Sequence, residues 1–319
     1  ELARLRELVA QRRARREQSI TGQGHPFAMM AASSGASGFN MQQEAWGGMT
    51  GVRALKALDD SLNDEQNVQA MMDVFTGIHA KLLASSKRLL LVAEAQHETS
   101  LLEILQASWH DVDAGTCEQQ LTLPAVEEKL KIAWLTASQV NFCAKSFATV
   151  SGVHPHIAPL TVLGGFLRNG FLHRVIREQG GAYGGGASFD PTSGAFKFYS
   201  YRDPRLVETL DDFDASIEWL LSEEHTELAL EEAVLGVIGS MDKPGSPAGE
   251  AQGDYFLALH KRTKEQREAF RADILKVSIE QLKEVAKTYL IKENESVAVI
   301  SSPNNKDALQ ELGFDIQTL

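Results

Sequence analysis

Ile176-Arg177-Glu178-Gln179-Gly180-Gly181-Ala182-Tyr183-Gly184-Gly185-Gly186-Ala187-Ser188-Phe189-Asp190 sets an arginine and a tyrosine around glycines where an apolar helix gives way to a strand. Five glycines within seven residues remove the Cβ atoms that hold another chain at a distance, and they open backbone angles closed to other residues. A guanidinium and a phenol stand beside that opening, and both donate hydrogen bonds to a carbonyl oxygen. The stretch therefore reads as a site that grips a peptide backbone, with Arg177 and Tyr183 as its donors and Gly180, Gly181, Ala182, Gly184 and Gly185 as its bare frame.

The elements around it follow from spacing. Upstream, Pro159 opens a helix carried by Leu160, Leu163, Leu167, Phe171 and Val175 to Gln179, where Gly180 stops it. Downstream, strands over 182–189 and 195–201 flank Asp-Pro-Thr-Ser-Gly, a turn sequence, and make an antiparallel hairpin. Further strands are expected at 128–137, 140–150 and 297–300, and a buried one at 88–93 from its Leu-Leu-Leu-Val content. Helices are expected at 68–84, from Thr99 or Ser100 to Trp109, and at 207–222, 226–240, 253–272, 278–290 and 306–312. Residues 2–18 form an amphipathic helix, and the Gly-, Ser-, Ala- and Met-rich stretch 19–51 reads as loop and short helices. The fold class is α+β, an antiparallel or mixed sheet backed by helices and preceded by a mainly helical connector. The division falls at 1–62, the end of a preceding domain plus connector, and 63–319, an α+β domain.

Composition excludes several classes. With 319 residues, 43% hydrophobic, the chain is a globular protein without disordered or collagen-like character. No apolar run approaches the roughly 20 residues of a membrane helix, and no signal-peptide core opens the chain. Glu1 in place of Met suggests a cut product. A formal net charge of -12 argues against nucleic acid and favours cationic ligands. Eleven carboxylates against the lone Arg205 crowd residues 203–232, as a solvated helical surface or a docking face for basic peptides. Two cysteines, Cys117 and Cys143, fit a reducing compartment and leave room for one bridge at most.

Among chemical motifs, both helical zinc signatures are absent: His97-Glu98 lacks its second ligand, and His154-Pro-His156 has no carboxylate cluster beside it. The order helix, glycines, strand offers no free helix N-terminus for a phosphate, and no Gly-x-Ser-x-Gly elbow surrounds Ser188. Two structural alternatives stay open for the pair: Arg177 in an ion pair with Glu178 or Asp203, and Tyr183 packed within the sheet. Against them stands the bare edge, which can add an extended peptide as a further strand.

The residues resemble a known family. Leu172-His173-Arg174 followed by 176–187 looks like the C-terminal half of the pitrilysin–insulysin metallopeptidases, in their presequence peptidase branch. Tyr199-Ser200-Tyr201-Arg202-Asp203-Pro204 before Glu208-Thr209-Leu210, and Met241-Asp242-Lys243-Pro244 with Pro247, are similar to that branch. Gly24-His25, Ala28 and Ser33-Ser34 resemble its connector into the last domain. The resemblance implies a four-domain clamshell closing on unfolded peptides, with zinc, its bound water and a glutamate base in an N-terminal half absent from this chain. It implies that Tyr183 donates to the oxyanion of the tetrahedral intermediate and that Arg177 holds a neighbouring carbonyl. This chain alone is then expected to bind no catalytic zinc and to cleave nothing. Its partners would be the zinc-bearing half and short unfolded, Arg-rich peptides, in the cytoplasm of a bacterium or the mitochondrial matrix or plastid of a eukaryote. The alternative is a non-catalytic structural or interaction domain of the same superfamily.

Overall fold

Small side chains at the start of the chain let a helix lie flat on a sheet. The computed structural model describes residues 2–85, 87–109 and 121–319, so Cys117 lies outside the described residues. Helix α1 (Leu2–Ser33) runs well past Gln18, with one non-helical residue, Gln23 (φ -144°, ψ 58°), where its axis bends. After a short 3-10 turn come α2 (Gly38–Gly47) and α3 (Met49–Ser61). The stretch expected as loop and short helices does hold short helices, but its first part continues α1 where a loop was expected. Its Gly24, Ala28, Ala31 and Ala32 are buried, so they reflect close packing rather than a flexible connector. Pro26 is tolerated because it follows the bend: it has no N–H for the carbonyl of Gly22, and that oxygen instead accepts a hydrogen bond from the Tyr201 hydroxyl at 3.1 Å.

α4 (Glu65–Ala84) starts at Asp64, whose carboxylate accepts from the Gln66 N–H at 2.8 Å, and α5 (Glu98–Trp109) follows. The position 62/63 falls in the turn between α3 and α4. Between α4 and α5 the expected buried strand at 88–93 is not formed. Leu89, Leu90, Leu91 and Val92 are exposed and belong to no strand, with no neighbouring strand among the described residues. Strand propensity expresses itself only against a partner, which explains the difference.

Among the described residues six strands form one mixed sheet: β1 (Lys131–Leu135), β2 (Phe142–Ala148), β3 (Gly184–Asp190), β4 (Ala195–Tyr201), β5 (Glu295–Ser301) and β6 (Asp315–Thr318). Their order is β3-β4-β2-β5-β1-β6, with β1 parallel to β5 and β6 and the remaining pairs antiparallel. β6, four residues long, was invisible in the sequence because its side chains are half-buried or exposed. Residues alternate between two faces, as a pleated strand requires. Phe142, Ala144, Ala298 and Ile300 meet Ile20, Phe27, Ala28, Ala31, Met49 and Val52 of the opening helices. Cys143, Phe147, Val297 and Val299 meet the helices of the opposite face. Cys143 is a free, fully buried thiol, and that burial pushes its pKa up.

The second layer contains α6 (Ile157–Leu167), α7 (Val207–Ser222), α8 (Glu227–Met241), α10 (Lys264–Ile274) and α11 (Ile279–Tyr289), with α9 (Pro247–Leu259) between α8 and α10 and a short α12 (Lys306–Glu311) before β6. The single helix expected at 253–272 is two. Lys261 takes φ 55°, which ends α9, and Thr263 with Gln266 forms a capping box that starts α10. Lys145 of β2, 3% exposed, is paired with Asp214 of α7 at 2.6 Å and Glu295 of β5 at 2.9 Å.

Two measurements follow from these contacts. A Cβ on Gly24 would enter the ring of Phe142, so Gly24→Ala lowers stability in urea unfolding by about 1–3 kcal/mol, the range of overpacked cores. Glu44 accepts the Thr50 N–H at 3.0 Å but is only 5% exposed, and burial, opposed by its bonds to Thr50 and Met49, pushes its carboxyl up to about 7. Because the fold prefers the protonated form, this stability is full below the unfolded carboxyl range and is lost as pH rises through about 7. Glu44→Gln should therefore flatten the fall in melting temperature between acidic and neutral pH, while an unchanged slope would contradict the assignment.

Candidate functional site

The helix that leads into the glycine cluster changes its winding before it arrives. α6 ends at Leu167 and the chain continues as a π-helix, Arg168–Gln179. Ordinary helical spacing turned Phe171 and Val175 inward, whereas the structure buries Leu172 and Ile176 and leaves Phe171 and Val175 half-buried. The wider i→i+5 turn explains the offset. It also brings Arg168, His173 and Arg177, spaced five and then four residues apart, to one cavity. No local sequence signal announced the π winding.

The segment ends on Gly180, whose N–H donates to Val175 O at 2.9 Å, followed by Gly181 N–H to Arg177 O at 3.2 Å and Ala182 N–H to Ile176 O at 3.1 Å. Gly180 and Ala182 are buried in this turn, and a Cβ on Gly180 would meet the guanidinium of Arg205. Arg205 is held there by Asp212 at 2.8 Å and Val175 O at 3.4 Å. Gly181 takes φ 79°, the left-handed region that favours glycine. The N–H of Tyr183 then donates to Tyr201 O at 3.0 Å and, more weakly, to Arg202 O at 3.4 Å, with Arg202 itself at φ 50°. Tyr183 thus leads directly into β3, which is the end strand of the sheet and, among the described residues, pairs only with β4.

A cavity of about 550 Å³ opens at this point, lined by Arg177, Tyr183, Gly184 and Gly185 together with Arg168, Asn169 and His173 from the π-helix, Tyr199 and Tyr201 from β4, and Gln23 and His25 from α1. Tyr183 is 68% exposed, with its ring edge-on to Tyr201 at 5.4 Å. It is therefore not packed inside the sheet. The Arg177 side chain is exposed and has no ion pair among the described residues: Glu178 lies 3.4 Å from His173, and Asp203 accepts from Thr209 at 2.7 Å and from the Arg205 N–H at 2.9 Å. Both structural alternatives for the pair are thereby removed. Of the framing residues, Gly184 and Gly185 line the cavity, while Gly180 and Ala182 shape the turn behind it. A Cβ on Gly185 would press on Ile176 and Tyr199 O, at 2.8 and 3.1 Å, so that wall stays bare by necessity.

Among the described residues no carboxylate lines the cavity. The net charge of -12 is not focused here, and part of the acidic run at 203–232 is already engaged, by Arg205 at Asp212 and by Lys145 and Lys292 at Asp214. His25, His173, Arg168, Tyr199 and Tyr201 were not singled out as site residues. Among the described residues no group of three or more His, Cys, Asp or Glu side chains could hold a metal ion, and no helix is long and apolar enough to cross a membrane. The residues that line this cavity do not fit a zinc centre.

The glycine geometry separates backbone need from open space. Gly181→Ala, at positive φ, should lower the unfolding free energy by about 1 kcal/mol, whereas Gly184→Ala, with nothing within 4 Å, should stay within about 0.5 kcal/mol in the same urea titration.

The site belongs to a chain with recognisable relatives. The family model for the PreP C-terminal domain matches residues 132–303, and a second model, for a peptidase-associated region, matches 1–58. The mitochondrial presequence protease of Yarrowia lipolytica is 32% identical over 90% of this chain and 29% of its own length. That of Schizosaccharomyces pombe is 30% identical over 91% of this chain and 29% of its own length. The chain thus spans under a third of these curated relatives. In fold, the crystal structure of pitrilysin superposes with a TM-score of 0.58 at 14% identity, covering 99% of this chain and 33% of that one. The chain belongs to the PreP C-terminal domain family, beside the presequence proteases in sequence and with a fold like that of pitrilysin.

Proposed function

We infer that this chain is the substrate-binding, C-terminal part of a zinc metalloendopeptidase that degrades short unfolded peptides, and that its zinc lies in an N-terminal half outside this sequence. The observation that carries the reading is the pairing of an exposed guanidinium, Arg177, unpartnered among the described residues, with an exposed phenol, Tyr183, at the glycine-lined mouth of an end strand. An extended peptide laid beside β3 continues the sheet through its backbone, and Gly184 and Gly185 allow it to come close. Tyr183 then donates its hydroxyl proton as a hydrogen bond to the oxygen that gains charge as the scissile carbonyl becomes tetrahedral. Arg177 holds a neighbouring carbonyl and adds positive potential in a cavity without carboxylates.

Residues 1–62 are read as the end of the preceding domain and connector, and 63–319 as the metallopeptidase-like domain. The relatives are named mitochondrial, so the matrix is the compartment proposed if the source is eukaryotic, which suits a buried free Cys143.

The test is zinc-dependent cleavage of an unstructured peptide by the full-length polypeptide. Tyr183→Phe and Arg177→Ala should each reduce kcat by about 100- to 1000-fold with the fold intact, as loss of one oxyanion donor does. The chain on its own should cleave nothing. Unchanged rates in both variants would instead favour a non-catalytic interaction domain.

A further inference from the structure

The geometry points to His25 as a positioning residue of this site, delivered by the bend in α1 to clamp Tyr199 and Tyr201, the second of which supports the ring of Tyr183. The inference rests on the role given to Tyr183 above. His25 comes from the segment matched by the peptidase-associated family model, whereas Tyr183 comes from the segment matched by the PreP C-terminal model, so the site is built jointly by both.

The delivery is mechanical. Gln23 leaves helical geometry, Gly24 seats the backbone against Phe142, and the next residue, His25, enters the cavity that holds Tyr183 and Arg177. Its ring stacks on Tyr199, with centroids 5.5 Å apart and planes inclined by 29°, and lies 4.8 Å from the ring of Tyr201. The same bend holds the far end of Tyr201, whose hydroxyl donates to Gly22 O. Tyr201 is therefore fixed by its ring and by its hydroxyl, both through α1.

Tyr183 depends on that arrangement. Among the described residues Tyr201 is the one aromatic neighbour of its ring, met edge-to-face at 88°. A phenol so exposed has many rotamers open to it, and the Tyr201 surface selects one. A shift of a donor by about 1 Å is enough to impair an oxyanion contact substantially.

What the chain uses from His25 is its ring faces. Nδ1 is buried without a partner, and neither ring nitrogen forms a hydrogen bond among the described residues. Burial lowers the imidazole below its ordinary pKa, which keeps the ring neutral beside Arg168 and Arg177. A ring without nitrogens should therefore serve as well.

Two readouts test this. In the chain with isotope-labelled tyrosine, which has only five tyrosines to assign, His25→Ala should shift the ring resonances of Tyr199, Tyr201 and Tyr183 and leave Tyr255 in place, while His25→Phe should restore them. In the full-length polypeptide His25→Ala should lower kcat about tenfold with KM within about twofold, and His25→Phe should recover most of the loss. A Tyr183 resonance unmoved by His25→Ala, or a Phe variant as impaired as the Ala variant, would overturn the inference. If Tyr183→Phe leaves turnover unchanged, the catalytic role given to Tyr183 fails, yet the resonance comparison still decides whether His25 positions Tyr183.

Discussion

Everything at the cavity depends on how closely α1 lies on the sheet. At Gly24 there is no room for a methyl group over the ring of Phe142, and the bend beside it leaves the Gly22 carbonyl without the N–H that Pro26 lacks. Tyr201 supplies the missing donor. These two contacts seal the back face of the sheet, satisfy a backbone acceptor and fix the strand residue that supports Tyr183. A looser helix would leave the same residues in the sequence and no site in the fold.

The front of the site has a second constraint. The π-helix widens just before the glycines, which turns Leu172 and Ile176 into the core and leaves Arg177 outside it, without an ion-pair partner among the described residues. Arg205 then holds the end of that helix by filling the space over Gly180 and bonding Val175 O and Asp212. Rare helical winding and a left-handed Gly181 precede Tyr183, and a left-handed Arg202, just past β4, meets the Tyr183 N–H through its carbonyl. Each is unfavourable for an ordinary chain, and their clustering around one cavity is what strained functional frames look like.

Much of this was legible from residue spacing. The hairpin around Pro191 and Gly194, helix α7 and the strand at 297–300 followed from alternation, turn chemistry and helical period, because in each the local preference and the tertiary contact agree. Arg177 and Tyr183 stood out because glycines bracket them. The misses have separate causes. The Ala- and Gly-rich stretch after Gln18 packs too tightly to need large side chains, so it lacked the apolar stripe of a helix. Residues 88–93 have strand composition but no strand beside them among the described residues. The break at Lys261 hid inside a polar stretch, and the π winding shifts the buried positions by one residue, from 171 and 175 to 172 and 176, which a 3.6-residue spacing rule misplaces. His25 could have been found only by asking why a Gly-His-Pro triplet interrupts a helix.

The account stands on two donors reaching one reacting centre, and a direct view of them is a crystal structure of the full-length polypeptide bound to a phosphinic peptide, whose tetrahedral oxygen mimics the intermediate. The account predicts the Tyr183 hydroxyl within about 3 Å of that oxygen and the Arg177 guanidinium at hydrogen-bonding distance from an adjacent peptide carbonyl. A bound analogue whose tetrahedral oxygen is met by neither group, with Tyr183 and Arg177 still facing solvent, would contradict it.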